Sequence, residues 1–136
     1  MQKLTDVIVY DIFSPPVASR IYAYPSIAAY EVLINDNLNY KSFAGQLNGL
    51  DPIPKPDPNK EYSFPVASLH AFLTVGKDLI FSENKIESYQ NELQEEFKKM
   101  GIPNDILMRS IAVSYTHLRA HETREDIGWL LLLEKK

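Results

Sequence analysis

The residue pattern best suited to chemistry lies near the C-terminus, where His117 and His121 stand four apart with Glu122 beside the second. On a helix this spacing puts both imidazoles on one face, the geometry of two-histidine zinc sites. The one other histidine, His70, lies between Val66 and Leu73 on an apolar stretch. A hydrogen-bonded structural histidine is the expectation there, with a catalytic role as the alternative. The chain has no cysteine, which excludes disulfides and thiolate metal sites. No Ser-His-Asp set and no glycine-rich phosphate loop can be assembled. The carboxylates Glu92, Glu95 and Glu96 read as the solvated face of a helix. Asp11 and Arg20 flank a Ser-Pro-Pro turn and could pair across it. Tyr10, Tyr22, Tyr24 and Tyr30 around that turn would pack a helix corner or, alternatively, line a ligand pocket.

The histidine pair does not survive inspection of its surroundings. The string from Val113 to Thr123, Val-Ser-Tyr-Thr-His-Leu-Arg-Ala-His-Glu-Thr, resembles an in-frame translation of a transposase-type sequencing adaptor. The ending at Leu131-Leu-Leu-Glu-Lys-Lys136 resembles the rest of the same text. Residues of such origin are set aside before fold reasoning. The expectation is therefore a natural segment over 1–112 and a non-native tail over 113–136. Setting the tail aside removes His117, His121, Glu122 and Trp129, and no catalytic, cofactor-binding or metal-binding residue is assigned.

The elements that would position any site read as helices joined by proline-marked turns. Residues 4–13 are ambiguous: Val7–Val9 favours a strand, whereas Thr5 as N-cap with Asp6 behind it favours a helix. Pro15 and Pro16 stop that element. From Val17 to about Leu33, Ile21, Tyr24, Ala28 and Val32 form a helical stripe, with Pro25 expected to kink it or to open a new helix. Residues 40–50 suggest a short helical piece. The four prolines between Asp51 and Glu61 indicate an extended loop. Ser63 and Pro65 mark the start of a helix whose apolar residues (Val66, Leu69, Phe72, Leu73, Leu79, Ile80) spread too widely for one buried face. Ser82 caps the clearest helix, Glu83–Met100, with the stripe Ile86, Tyr89, Leu93, Phe97 and Met100 and a Glu95–Lys99 pair. Gly101 fits its left-handed C′ position, Ile102 can fold back on Phe97, and Pro103 prevents continuation. A last helix begins at Asn104 or Asp105 and carries Ile106, Leu107 and Ile111. The fold class is all-α, an incomplete helical bundle.

Composition sets outer limits. The 136 residues carry a net charge of −4, and the tail's four basic and four acidic residues leave that value unchanged for 1–112. Nothing basic is clustered as a nucleic-acid surface would require. No run of about 18 apolar residues exists to span a bilayer. The text after Met1 lacks the basic start and apolar core of a signal peptide, so the sequence leaves the compartment undetermined.

A resemblance appears in the N-terminal third. The run Leu4–Tyr24, with Ser14-Pro15-Pro16-Val17-Ala18-Ser19-Arg20 at its centre, and the following Ala29-Tyr30-Glu31 resemble bacterial vanadium-dependent haloperoxidase-like proteins of the type-2 phosphatidic acid phosphatase superfamily. Phe81–Ile86 and Arg109–Ala112 are similar to later text in such sequences. The resemblance implies an all-α scaffold and a helix over 4–13. It also implies a parent that is a phosphatase or haloperoxidase, with vanadate as the parent's cofactor and export from the cytoplasm. The superfamily's chemistry sits on a lysine followed by an Arg-Pro, a Pro-Ser-Gly-His block, and a Ser-Arg segment leading to a second histidine. None of these is present, so no catalytic residue carries over. The expected molecule is a truncated scaffold portion, inactive alone. It would lack the C-terminal part of the parent domain and associate through uncovered apolar faces of Val66–Ile80 and Ile86–Met100. The rival expectation is a non-enzymatic helical binding module using the tyrosine-rich 10–30 corner.

Overall fold

The computed structural model describes residues 1–36, 39–47, 50 and 52–120, with side chains in the last helix through Tyr115. Five helices follow in order: α1 (Gln2–Tyr10), α2 (Pro15–Leu33), α3 (Phe64–Asp78), α4 (Glu83–Lys99) and α5 (Asn104–Ala120). No strand occurs among the described residues, so the architecture is all-α.

Helix α3 is the hub, packed most extensively on α2 and then on α5 and α4. Its breadth of burial follows from its sequence: Val66, Ala67, Ala71, Phe72 and Leu73 all lie inside. On the α2 side the contact is made by small residues, Ala28 and Val32 against Ala67 and Ala71, and the Ser68 hydroxyl donates to the Ala29 carbonyl at 2.9 Å. On the α5 side Val66 meets Leu107 and Ile111, with Phe97 and Ile102 against them. A third cluster joins Leu4, Val7 and Ile8 of α1 to Ile21, Phe72, Leu73 and Ile86. Each fully buried Leu or Ile contributes roughly 1.5–3 kcal/mol. Gly76 permits this closeness, since a Cβ there would stand 3.3 Å from a methyl carbon of Leu4 and 3.7 Å from Pro25 Cγ.

Several sequence expectations need correction. Residues 4–10 are helical, but Thr5 is not the N-cap; Met1 is. The Thr5 hydroxyl instead bonds back to the Met1 carbonyl and accepts from the Tyr22 hydroxyl at 3.0 Å. Helix α2 runs unbroken through Pro25, which is buried together with Glu31, while Tyr24 of the expected stripe is on the outside. Proline removes one helical hydrogen bond, to the Ile21 carbonyl, and its burial against Gly76 offsets that loss. Residues 40–47 form a turn and no helix. Met100 is exposed, and Lys98, not Lys99, pairs with Glu95 at 2.7 Å. Helices α2, α4 and α5 all pack on α3, burying Val66, Phe72, Leu73, Leu79 and Ile80 and leaving Leu69 and Val75 half-buried.

The end of α4 follows its sequence. Gly101 has φ 87°, its amide donates to the Lys98 carbonyl, and the Ile102 amide donates to the Phe97 carbonyl at 3.2 Å. These are the two bonds of a Schellman motif.

Candidate functional site

A buried polar cluster around His70 lies at the junction of α3, α4 and α5. His70 faces inward from α3 with 9% of its surface exposed, and Thr74 follows one turn later. Gln90 enters from α4 and Ser114 from α5, both buried. His70 Nδ1 lies 2.8 Å from Ser114 Oγ and 3.4 Å from Thr74 Oγ1. Gln90 Nε2 donates to Thr74 Oγ1 at 3.0 Å, and the Tyr115 ring meets the imidazole edge-on at 5.3 Å.

The hydroxyl partners bear on the tautomer. The Ser114 hydroxyl donates to the Ile111 carbonyl at 2.6 Å, and the Thr74 hydroxyl donates to the His70 carbonyl at 2.9 Å. Each hydroxyl has one proton, so both present only lone pairs to Nδ1. With those hydroxyl protons on the carbonyls, the consistent arrangement has Nδ1–H donating to Ser114 Oγ. Burial holds the pKa at about 4, below the ordinary 6.5, with the Lys77 charge adding to the effect. Beside it lies a void of about 10 Å³ walled by Val66, Leu73, Leu93, Phe97, Leu107 and Ile111. That is room for about one water and for no substrate.

A second constellation surrounds Glu31, only 2% exposed on α2. Its two carboxylate oxygens accept from the Ser42 hydroxyl and the Phe43 amide, each at 2.7 Å. The Tyr30 hydroxyl donates to the Lys41 carbonyl at 2.9 Å, and the Tyr30 ring lies 4.8 Å from that of Phe43. A charged residue inside an α-helical core is thereby matched by donors from the returning loop. Both of its oxygens are engaged in holding that loop.

The expected Asp11–Arg20 pair does not form. Asp11 instead accepts from the Phe81 amide at 3.0 Å, the Ser82 amide at 3.1 Å and the Ser82 hydroxyl at 2.5 Å. An anion at a helix N-terminus meets unpaired amides and the positive end of the dipole, which outcompetes the exposed Arg20. The tyrosines are divided: Tyr22 and Tyr30 are tied to Thr5 and Lys41, while Tyr10 and Tyr24 face outward. They form no shared pocket among the described residues.

A groove of about 280 Å³ gathers Lys55, Lys60, Tyr62 and Arg109. Arg109 is committed to the Asp105 carboxylate and the Glu61 carbonyl, and Lys60 pairs with Asp57 at 3.6 Å. Contacts with those groups hold Asp105 and Asp57 below the usual carboxylate range, the Arg109 hydrogen bond leading for the first and the Asn59 amide for the second. No histidine lines this groove, and His70 is sealed elsewhere.

No group of three or more His, Cys, Asp or Glu able to hold a metal occurs among the described residues. His121, Glu122 and Trp129 lie outside the described residues, as does the side chain of His117. Helix α5 crosses the expected 112/113 boundary without a break, and Val113 and Ser114 are buried within it. Sequence reasoning missed Thr74 and Gln90. The available signal was a polar residue one turn after His70 and another one turn after Ile86 on the apolar stripe of α4.

An all-α scaffold with a buried histidine and an unbroken proline-containing α2 is the class of structure at hand. No family model and no curated protein matches the chain. Among solved structures it is similar to the crystal structure of a bacterial vanadium-dependent iodoperoxidase, with 41% sequence identity and a TM-score of 0.82. The match covers 88% of this chain and 28% of that chain. At that identity the likeness goes beyond fold, and it is consistent with an N-terminal fragment of a haloperoxidase-like protein, since the chain spans little more than a quarter of that neighbour's length.

Proposed function

We propose that this chain is the helical scaffold portion of a larger haloperoxidase-like enzyme and has no oxidising or phosphate-transferring activity of its own. The observation that carries this is the one-sided match, nearly all of this chain against 28% of the iodoperoxidase. The donor chemistry supports it. The one histidine whose side chain is described is neutral at pH 7 and buried between helices, and the one guanidinium in the groove is paired with Asp105.

The scaffold's task would be to hold helix ends and loops in register for residues contributed by the rest of such an enzyme. Vanadate, if the parent uses it, would be bound by those residues. The adaptor-like text from Val113 onward is proposed to be foreign to the parent gene. Val113 and Ser114 are small enough for a helix to accommodate against α3.

The test is a vanadium NMR titration of the chain with orthovanadate, together with a halide-oxidation assay. No bound-vanadate signal and no oxidised halide are expected. Vanadate binding at micromolar concentration would overturn the proposal. Reading the gene past Ala112 from trimmed nucleotide data is expected to bring in the lysine with Arg-Pro, the Pro-Ser-Gly-His block and the second histidine.

A further inference from the structure

Between α5 and the proline-rich loop that precedes α3 lies the groove of about 280 Å³. That volume is just below the range of roughly 300–1,000 Å³ usual for small-molecule sites. Lys55, Lys60, Tyr62 and Arg109 bring donors to it, and Asp57 is the one carboxylate on its wall. The Lys55 ammonium and the Tyr62 hydroxyl have no ion pair or hydrogen bond among the described residues. Every wall residue except Val113 precedes the adaptor-like text.

The charges of the groove do not cancel. Asp57 Oδ1 accepts from the Asn59 amide at 3.0 Å and from the Asn59 side chain at 3.2 Å. Lys60 stands 3.6 Å from the other oxygen with its side chain 56% exposed, an ion pair that water weakens and that leaves the ammonium free to turn. Arg109 gives N–H groups to the Asp105 carbonyl, the Asp105 carboxylate and the Glu61 carbonyl, and a guanidinium has further donors to spare. Asp105 is not on the wall. Three cations therefore line the groove against one carboxylate, in a chain whose net charge is −4. The walls are also held in place. Arg109 keeps the Glu61 carbonyl at 3.3 Å, and the Ser63 amide donates to the Ser110 hydroxyl at 2.8 Å, which pins the end of the loop to α5. Pro54 and Pro56 stiffen the stretch before it.

We propose that this groove binds a small organic carboxylate with an apolar body, such as an arylacetate. The excess of cations selects an anion, and the ammonium of Lys55 is the group with no competing partner to give up. Pro54, Pro56, Ala112 and Val113 make the rest of the wall apolar. A ring or branched chain would cover those surfaces and gain by leaving water, which an inorganic anion cannot do. The proposal is separate from the scaffold reading, since it calls on no residue outside this chain and on no reaction.

The experiment follows the backbone amides of the full chain by NMR during a titration with phenylacetate. Shifts confined to residues 54–62 and 109–113 are expected to saturate together, with a dissociation constant of roughly 1–10 mM, the level that about ten heavy atoms reach at ordinary efficiency. Neutral phenylacetamide is expected to bind about fivefold more weakly, because it brings no charge to the cations. Inorganic phosphate is expected to bind more weakly than phenylacetate, because it brings no apolar body. Lys55→Ala is expected to weaken phenylacetate about threefold and to leave phenylacetamide unchanged. Lys55 is exposed on a loop, so its loss is expected to leave the thermal midpoint where it was; should that variant fail to fold, Lys60→Ala decides in its place. No saturating shift at these residues by about 50 mM phenylacetate overturns the proposal. Equal binding of phenylacetamide, phosphate binding as tight as phenylacetate, or unaltered phenylacetate affinity in the folded lysine variant overturns it as well.

Discussion

Helices α1 and α4 end with the same hydrogen bonds and with opposite residues. At α4, Gly101 takes the left-handed position, and the amides of Gly101 and Ile102 reach back to Lys98 and Phe97. At α1, Ile12 takes that position, and the amides of Ile12 and Phe13 reach back to Val9 and Ile8, each at 3.3 Å. Glycine adopts the conformation without penalty. Isoleucine does so at about 1–2 kcal/mol. What holds the α1 end must therefore come from outside the turn, and the Asp11 carboxylate on the start of α4 is the visible source. One end is written in its own residues and the other is imposed by its neighbours.

The largest expected effect tests how far packing supports the α4 end. His70 shares a cavity wall with Phe97, so charging the imidazole disturbs the surface on which that end rests. The folded-state pKa of about 4 lies below the unfolded value of 6.5, so the fold favours the neutral form. Its contribution is complete above pH 6.5, falls as the pH drops below that, and is gone below about 4. The difference corresponds to about 3 kcal/mol. Urea unfolding followed from pH 7 to pH 4 is expected to show that loss, and His70→Gln to flatten the slope between pH 6.5 and 4.5. An unchanged slope in the variant would show that other groups carry the acid sensitivity.

Next comes the clamp on α1. Asp11→Ala removes three hydrogen bonds to an ionised acceptor and leaves the start of α4 without its anion, for an expected loss of about 2 kcal/mol. Asp11→Asn should lose less, because one amide oxygen can still accept. If Asp11→Ala matched the wild type in chemical denaturation, the contrast between the two helix ends would lose its cause. The mirror change, Gly101→Ile, is expected to cost about 1.5 kcal/mol. Nothing lies within 4 Å of a Cβ built there, so the penalty is purely conformational. A loss well above 3 kcal/mol would point to a clash that the geometry does not contain.

What could be read from the sequence divides along the same line. The Gly101-Ile102-Pro103 stop, the cap position of Ser82 and the all-α class were legible because each depends on the conformational preferences of adjacent residues. Helix α1 was ambiguous from Val7–Val9 and was settled only by the family resemblance. Of the two expectations at Pro25, a kink or a fresh helix, the fresh helix is overturned, because the proline's place inside α2 depends on Gly76, 51 positions away, leaving room for the ring. Glu31 was legible as part of a family-like string, while its role was not. A carboxylate becomes a core residue only when Ser42 and Phe43 return with donors. Thr74 and Gln90 were overlooked for a related reason: a polar residue on an apolar stripe declares its purpose only once its partner on another helix is known.

The smallest effect is the most discriminating. Ile12→Gly relieves the left-handed strain but loosens the unfolded chain, and the two oppose each other, leaving an expected gain of about 0.5–1 kcal/mol. The exposed side chain subtracts little in this chain. A measured gain would mean that the strain at Ile12 serves no contact within this chain and that the α1 end is a poorer version of the α4 end. A measured loss would mean that the isoleucine side chain contributes more at this bend than its 88% exposure implies, and the two helix ends would then differ in function as well as in residue.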